Sequence, residues 1–238
     1  MDLGKKILKD AENMAVKIHK IPVDYDINTI PTLDDLKASI GNCSVLLCSG
    51  TAPESRLIEE VDRTDFSHSA MIVRFHDKDE LYVWTADTVD SMEDQIKKQN
   101  NPTHPGTHLL VLRNYLTNLD KLYPSPDGSK YRLAVARLEG VSIDEKQLWD
   151  VMYEYDGTPF PPTQQEFLHY LEGQFGIDSG MTTSFCAQMV ANTYQKMGWL
   201  KTDEPPNHFN PGSFARTDDI NKALLNGATL NAPEYFKL

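Results

Sequence analysis

Thr182-Thr183-Ser184-Phe185-Cys186-Ala187-Gln188-Met189-Val190-Ala191-Asn192 is the stretch around which the chain is read, because it sets a cysteine one or two residues inside a helix. Thr183 and Ser184 are good N-cap residues. From Ala187 the apolar and small positions recur at helical spacing through Val190, Tyr194 and Met197, until Gly198 stops the helix. Cys186 then falls in the first turn, where unpaired backbone N–H groups and the positive end of the helix dipole favour the thiolate that a nucleophile needs. A lone cysteine on an apolar helix is ordinarily inert packing, so this reading depends on a base elsewhere in the chain.

Of the seven histidines, His68 suits that role best. It opens the apolar run Phe66-Ser67-His68-Ser69-Ala70-Met71-Ile72-Val73-Arg74, which predicts a strand with His68, Ala70 and Ile72 on one face. A second run, Leu81-Tyr82-Val83-Trp84-Thr85, forms a hairpin with it if Phe75-His76-Asp77-Lys78 is the loop. Pairing Arg74 with Asp79 sets Ile72 opposite Leu81, Ala70 opposite Val83 and His68 opposite Thr85. Thr85 then supplies a hydroxyl to the imidazole, and Asp87, on the same face, supplies charge if the strand runs that far. His76, His104, His108 and His208 lie in loop sequence, and His19 and His169 in helical sequence, with nothing tying them to Cys186. His104 and His108 have the spacing of a helical metal pair, but Pro105 and Gly106 between them argue against a helix, and the segment reads as a solvated loop.

Composition bounds the rest. A chain of 238 residues that is 40% apolar and 24% charged is a globular protein with one substantial core. We read it as a single domain over 1–238, with an N-terminal helical extension to about residue 40 and a loop-rich tail from about residue 201. The net charge of -12 argues against the phosphate backbone of a nucleic acid as a partner. No run of about 18 apolar residues occurs, and the opening residues form an amphipathic stretch rather than an apolar signal core, so the cytoplasm is the expected compartment. Three cysteines fit reduced thiols there.

Further elements follow from pattern. Helices are predicted over 3–20, from Thr32 toward Gly41, over 54–61, from a Ser142-x-x-Glu145 capping box to Gly157, over 164–171 and around 218–225. Strands are predicted over 44–48, 109–113 and 131–138. No cofactor-binding or metal-binding motif is read.

The motifs together resemble the circularly permuted NlpC/P60 proteins, the YiiX-like branch of the papain-like superfamily. Gly41-Asn42-Cys43-Ser44-Val45-Leu46-Leu47 is similar to that family's opening strand, with Asn42 in place of the usual Asp. Ser55-Arg56-Leu57-Ile58 and then Phe66 to Val73 resemble its helix and histidine strand, and Tyr82-Val83-Trp84-Thr85-Ala86 falls where the family carries an acidic residue. Tyr155-Asp156-Gly157-Thr158-Pro159-Phe160, the Ser184 to Ala191 helix start, Met197-Gly198-Trp199-Leu200 and Asn210-Pro211-Gly212-Ser213-Phe214 complete the likeness, which spans most of residues 41 to 214.

The resemblance implies an α+β, papain-like fold: an antiparallel sheet or half-barrel packed against helices, with the nucleophile at a helix N-terminus. It implies a cysteine peptidase or amidase acting on a peptide, an amino-acid conjugate or a related substrate, with Cys186 as nucleophile, His68 as base and Thr85 in the third position. The substitution of Thr85 for an acid leaves open recruitment of Asp87 or a catalytically silent binding module. An acyltransferase or lipid deacylase would use the same dyad on an acyl-lipid substrate.

Overall fold

The computed structural model describes residues 28–50, 64–122, 132–162, 172, 173 and 175–238. The helices expected over 3–20, 54–61 and 164–171 lie outside the described residues. In chain order the elements are α1 (Leu33–Leu36), β1 (Val45–Ser49), β2 (His68–Arg74), β3 (Leu81–Asp87), β4 (Gly106–Val111), α2 (Leu112–Leu122), β5 (Arg132–Ala136) and β6 (Leu138–Glu139). There follow α3 (Glu145–Tyr155), α4 (Cys186–Lys196), a 3-10 turn (Pro206–His208), α5 (Pro211–Ala215), α6 (Thr217–Ala223), β7 (Thr229–Leu230) and β8 (Glu234–Phe236).

Six strands form one sheet in the order β4-β3-β2-β1-β5-β8, every neighbouring pair antiparallel, and β6 pairs with β7 apart from it. The fold is therefore mixed α+β, as expected. Every residue of β1 and of β3 is buried, the pattern of strands covered on both faces. Alternation sorts their side chains into two cores. Val45, Leu47, Met71, Val73, Trp84 and Leu109 pack with Met189, Val190 and Tyr194 of α4 and with Leu148 and Met152 of α3. Leu46, Cys48, Ala70, Ile72, Val83 and Leu110 pack on the other face with Leu33 and Leu36 of α1 and Tyr115, Leu116 and Leu119 of α2.

The hairpin register differs from the expected one. Arg74 pairs with Leu81, Ile72 with Val83 and Met71 with Trp84, so the connection is two residues longer and Thr85 stands opposite Ala70 rather than His68. Phe75 leaves the ladder to pack edge-on against Tyr82 and Trp149, at centroid distances of 5.5 and 5.9 Å. A slip of two residues keeps every side chain on its expected face, and β3 does run to Asp87.

Other boundaries move for local reasons. The helix starts after Thr32 as expected, with Thr32 and Asp35 capping it reciprocally, but α1 ends at Leu36, short of Gly41. Asp144 rather than Ser142 caps α3, its carboxylate accepting from the Lys146 and Gln147 amides at 2.9 and 3.1 Å. The strand expected over 109–113 is β4, which gives way directly to α2. Leu112, Tyr115, Leu116 and Leu119, all buried, have helical spacing, yet no capping residue separates the two periods.

Two hydrogen bonds seat α4 on the sheet. The Trp84 indole N–H donates to Thr193 Oγ1 at 3.3 Å, and the Tyr194 hydroxyl donates to the Cys43 carbonyl at 2.6 Å. Gly106 joins β4 to the end of α3. Its φ is +107°, and a Cβ there would lie 2.3 Å from the Thr158 carbonyl oxygen; alongside it the Thr107 amide donates to Thr158 O and the Gly157 amide to Thr107 O. Gly106→Ala should therefore lower stability by about 2 kcal/mol or more, measured as the shift in urea midpoint at unchanged slope.

Candidate functional site

His68 is the first residue of β2 and half-buried. Its Nε2 lies 3.0 Å from Thr85 Oγ1 and 3.4 Å from the Tyr115 hydroxyl. Both hydroxyls in turn donate to one oxygen of Asp87: Thr85 Oγ1 is 3.3 Å and Tyr115 Oη 3.1 Å from Asp87 Oδ2. A hydroxyl has one proton to give. With those protons committed to the carboxylate, Thr85 and Tyr115 face His68 as acceptors, so Nε2 carries the hydrogen and Nδ1 keeps its lone pair. The carboxylate thus selects the tautomer of His68 through two hydroxyl groups. Thr85 and Asp87, alternatives in the sequence, act in series.

Asp87 is itself held from two further sides. Oδ1 accepts from the Val89 amide at 2.8 Å and forms an ion pair with His108 Nε2 at 3.2 Å. His108 Nδ1 reaches the His104 carbonyl at 3.0 Å. Burial alone would raise the Asp87 carboxyl, but the hydrogen bond and charge of His108, the charge of His68 and the Val89 amide hold it below the usual carboxylate range. Burial would likewise lower His108; the hydrogen bond and charge of Asp87, the His104 carbonyl and the charge of Asp94 raise it above the ordinary histidine value. Each partner thus favours the charged form of the other. His68 goes the other way: burial lowers it, opposed by the charge of Asp87 and reinforced by His108. A neutral imidazole with a free Nδ1 can take a proton.

Cys186 heads α4 and is 4% exposed. Neither Thr183 nor Ser184 caps the helix; the N-cap position is Phe185, whose amide donates to Gln188 Oε1 at 3.4 Å while Gln188 Nε2 donates to the Gly180 carbonyl at 2.8 Å. One glutamine therefore fixes the turn that presents Cys186. Strand alternation puts His68, Thr85, Asp87 and His108 on the face of the sheet shared with α1 and α2, whereas Cys186 belongs to the core under α4. Cys48 links the two places. It is the direct ladder partner of His68, and it lies near enough to Cys186 for a charge there to raise its own thiol further. None of the three cysteines forms a disulfide. Burial pushes the Cys43 and Cys48 thiols well above the ordinary range, which keeps both protonated and poorly nucleophilic.

The expectation for His104 and His108 is corrected. They do not lie in a solvated loop: His108 is a fully buried residue of β4 and His104 is also buried. Alternation within Gly106–Val111, which puts His108 on the face of Leu110, was the available signal. Tyr115 was hidden inside the unread helix α2. Next to His108 stands a second polar group that sequence spacing does not connect: Asp94, His104 and Asp156, with His104 Nε2 3.5 Å from Asp94 Oδ2 and 4.0 Å from Asp156 Oδ1. Burial and the charge of Asp94 push the Asp156 carboxyl up to about 7.

The architecture and these clusters define a mixed α+β protein with a buried histidine–hydroxyl–carboxylate network, and no described helix is long and apolar enough to cross a membrane. No family model matches the chain, and no curated protein does. Among solved structures it is similar to the metalloprotein yiiX from Escherichia coli O157:H7, at 17% identity and a TM-score of 0.46 over 82% of this chain and 98% of that one.

The Asp87–His108 pair sets a pH signature. A lowered Asp87 stabilises the fold above its unfolded value and loses that contribution as pH falls through its folded one; a raised His108 stabilises below its unfolded value and loses that as pH rises through its folded one. Asp87→Asn should therefore be most destabilising between about pH 4 and 6.5, by about 3 kcal/mol. Denaturation series across pH measure this, and NMR titration of His108 should show its pKa fall in the variant.

Proposed function

We propose that this chain is a cysteine hydrolase that cleaves an amide bond in a peptide or a related conjugate, with Cys186 as nucleophile and His68 as base. The observation that carries the reading is the pair of hydroxyls that joins His68 to Asp87. The two hydroxyls anchored on Asp87 leave Nδ1 as the basic nitrogen, and a thiol nucleophile requires a base of that kind, oriented by a third group.

In this mechanism His68 Nδ1, at the first residue of β2, takes the proton of Cys186, the first residue of α4, around the end of the strand rather than through the sheet, and the sulfur attacks the substrate carbonyl. The carbonyl π pair moves to oxygen, where backbone N–H groups at the start of α4 stabilise it. As the C–N bond breaks, the imidazolium returns its proton to the leaving nitrogen. Water then attacks the resulting thioester, giving a proton to His68; as the C–S bond breaks and the acid leaves, His68 returns that proton to the Cys186 sulfur. Thr85 and Tyr115 accept from Nε2–H throughout, and Asp87 compensates the positive charge that His68 carries between steps. Burial of Cys43 and Cys48 as protonated thiols supports Cys186 as the nucleophile, and three cysteines outside disulfides suit a reducing compartment.

Alkylation by iodoacetamide near pH 7, read by peptide mass spectrometry, tests the assignment. Label should enter at Cys186 alone and vanish in Cys186→Ala; His68→Asn should slow it by at least about ten-fold. Thr85→Val and Tyr115→Phe should each slow turnover of a dipeptide or N-acyl-amino-acid panel by roughly ten-fold, since each removes one charge-linked hydrogen bond to the base. Label on Cys43 or Cys48, or a rate indifferent to His68→Asn, would sink the reading.

A further inference from the structure

We propose that Asp94, His104 and Asp156 form a binding site for one divalent transition-metal cation of the Zn2+ or Mn2+ type. The three donor atoms converge: one oxygen from each carboxylate and His104 Nε2 all lie within 4.8 Å of one another. The aspartates are 1% and 3% exposed and His104 8%. Asp94 Oδ2, His104 Nε2 and both Asp156 carboxylate oxygens are buried without a hydrogen-bond partner. Groups of this kind are ordinarily satisfied when buried, and two carboxylates facing each other in a low-dielectric site are stable only with a shared proton or a cation between them.

The remaining atoms of each residue are already engaged, which aims the free ones inward. Asp94 Oδ1 accepts from the Leu109 amide at 2.9 Å and the Ile96 amide at 3.2 Å, leaving Oδ2 for the centre. His104 Nδ1 is 3.3 Å from the Pro105 carbonyl, the backbone bond that orients a metal-bound histidine and leaves Nε2 as the donor. Asp156 follows the last residue of α3, its backbone carbonyl held by Gln99 Nε2 at 3.0 Å. The His104-to-carboxylate separations of 3.5 and 4.0 Å are long for hydrogen bonds. They are close to the roughly 3.3 Å edge of a tetrahedron with metal–ligand bonds of about 2.0 Å. One imidazole with two carboxylates suits Zn2+ or Mn2+ rather than the all-oxygen shell that Ca2+ and Mg2+ prefer. Three protein donors leave a position for water. A cation here clamps the 88–105 segment to β4 and the end of α3, and this site stands apart from the reading of Cys186.

The full chain, stripped with a chelator and titrated calorimetrically with Zn2+ and with Mn2+, tests the proposal. One equivalent of at least one ion should bind and raise the thermal midpoint. His104→Gln and Asp156→Asn should each weaken binding by at least about ten-fold, with folding of the variants verified by circular dichroism. Asp94→Asn provides a third variant, since its side-chain carbonyl can still accept from Leu109 and Ile96. Co2+ bound at the same stoichiometry should show ligand-field absorption without a thiolate charge-transfer band. No uptake of either ion, uptake unchanged in all three variants, or a thiolate band would overturn it; the first outcome would mean that a shared proton alone holds the two carboxylates.

Discussion

One buried negative charge organises the centre of this molecule. Asp87 ends β3 beneath α2, and four groups converge on its two oxygens: the Val89 amide and His108 on one, the hydroxyls of Thr85 and Tyr115 on the other. Removing a carboxylate from water is costly unless its lone pairs are filled and its charge is countered. Here both conditions are met, and the same bonds that keep the charge in place decide where the proton on His68 sits. Stability and proton chemistry are therefore coupled through a single side chain, and a change in one cannot be made at this position without a change in the other.

Much of this architecture was legible where local chemistry is short-ranged. The Thr32–Asp35 cap, the all-apolar run of β1, the stop at Gly198 and the parity that keeps His68 and Thr85 on one face all follow from neighbours a few residues apart. The hairpin register was not, because it turns on Phe75 finding Tyr82 and Trp149, a tertiary packing choice. Nor was α2, whose first apolar residue continues the strand's run without a cap to mark the change of period. The helix cap before Cys186 was misassigned for a related reason: a glutamine inside the first turn does the work that Thr183 or Ser184 was expected to do.

The polar cluster shows a sharper limit. Thr85 was selected through its place in a recognisable motif, but the means by which it serves His68 depends on Tyr115 and His108, drawn from two other elements. Asp94, His104 and Asp156 meet only after β4 docks against the end of α3, a contact that Gly106 permits by having no side chain. Sequence spacing carries no trace of such meetings, because the distances are closed by the sheet rather than by the local chain.

Strand order has a further consequence for how the polypeptide is made. β1 to β4 are neighbours in space in the order in which they leave the ribosome, so a four-stranded meander can assemble early. The outer rim of β1 must then wait for β5, and the rim of β5 for β8, which follows only after α3 to α6. Until then an apolar edge with unfilled amide and carbonyl groups faces solvent, the kind of edge on which nascent chains associate wrongly. Glu234–Phe236 is thus the strand that covers the β5 rim, and a nascent chain not yet extended that far would carry that exposed edge into solution.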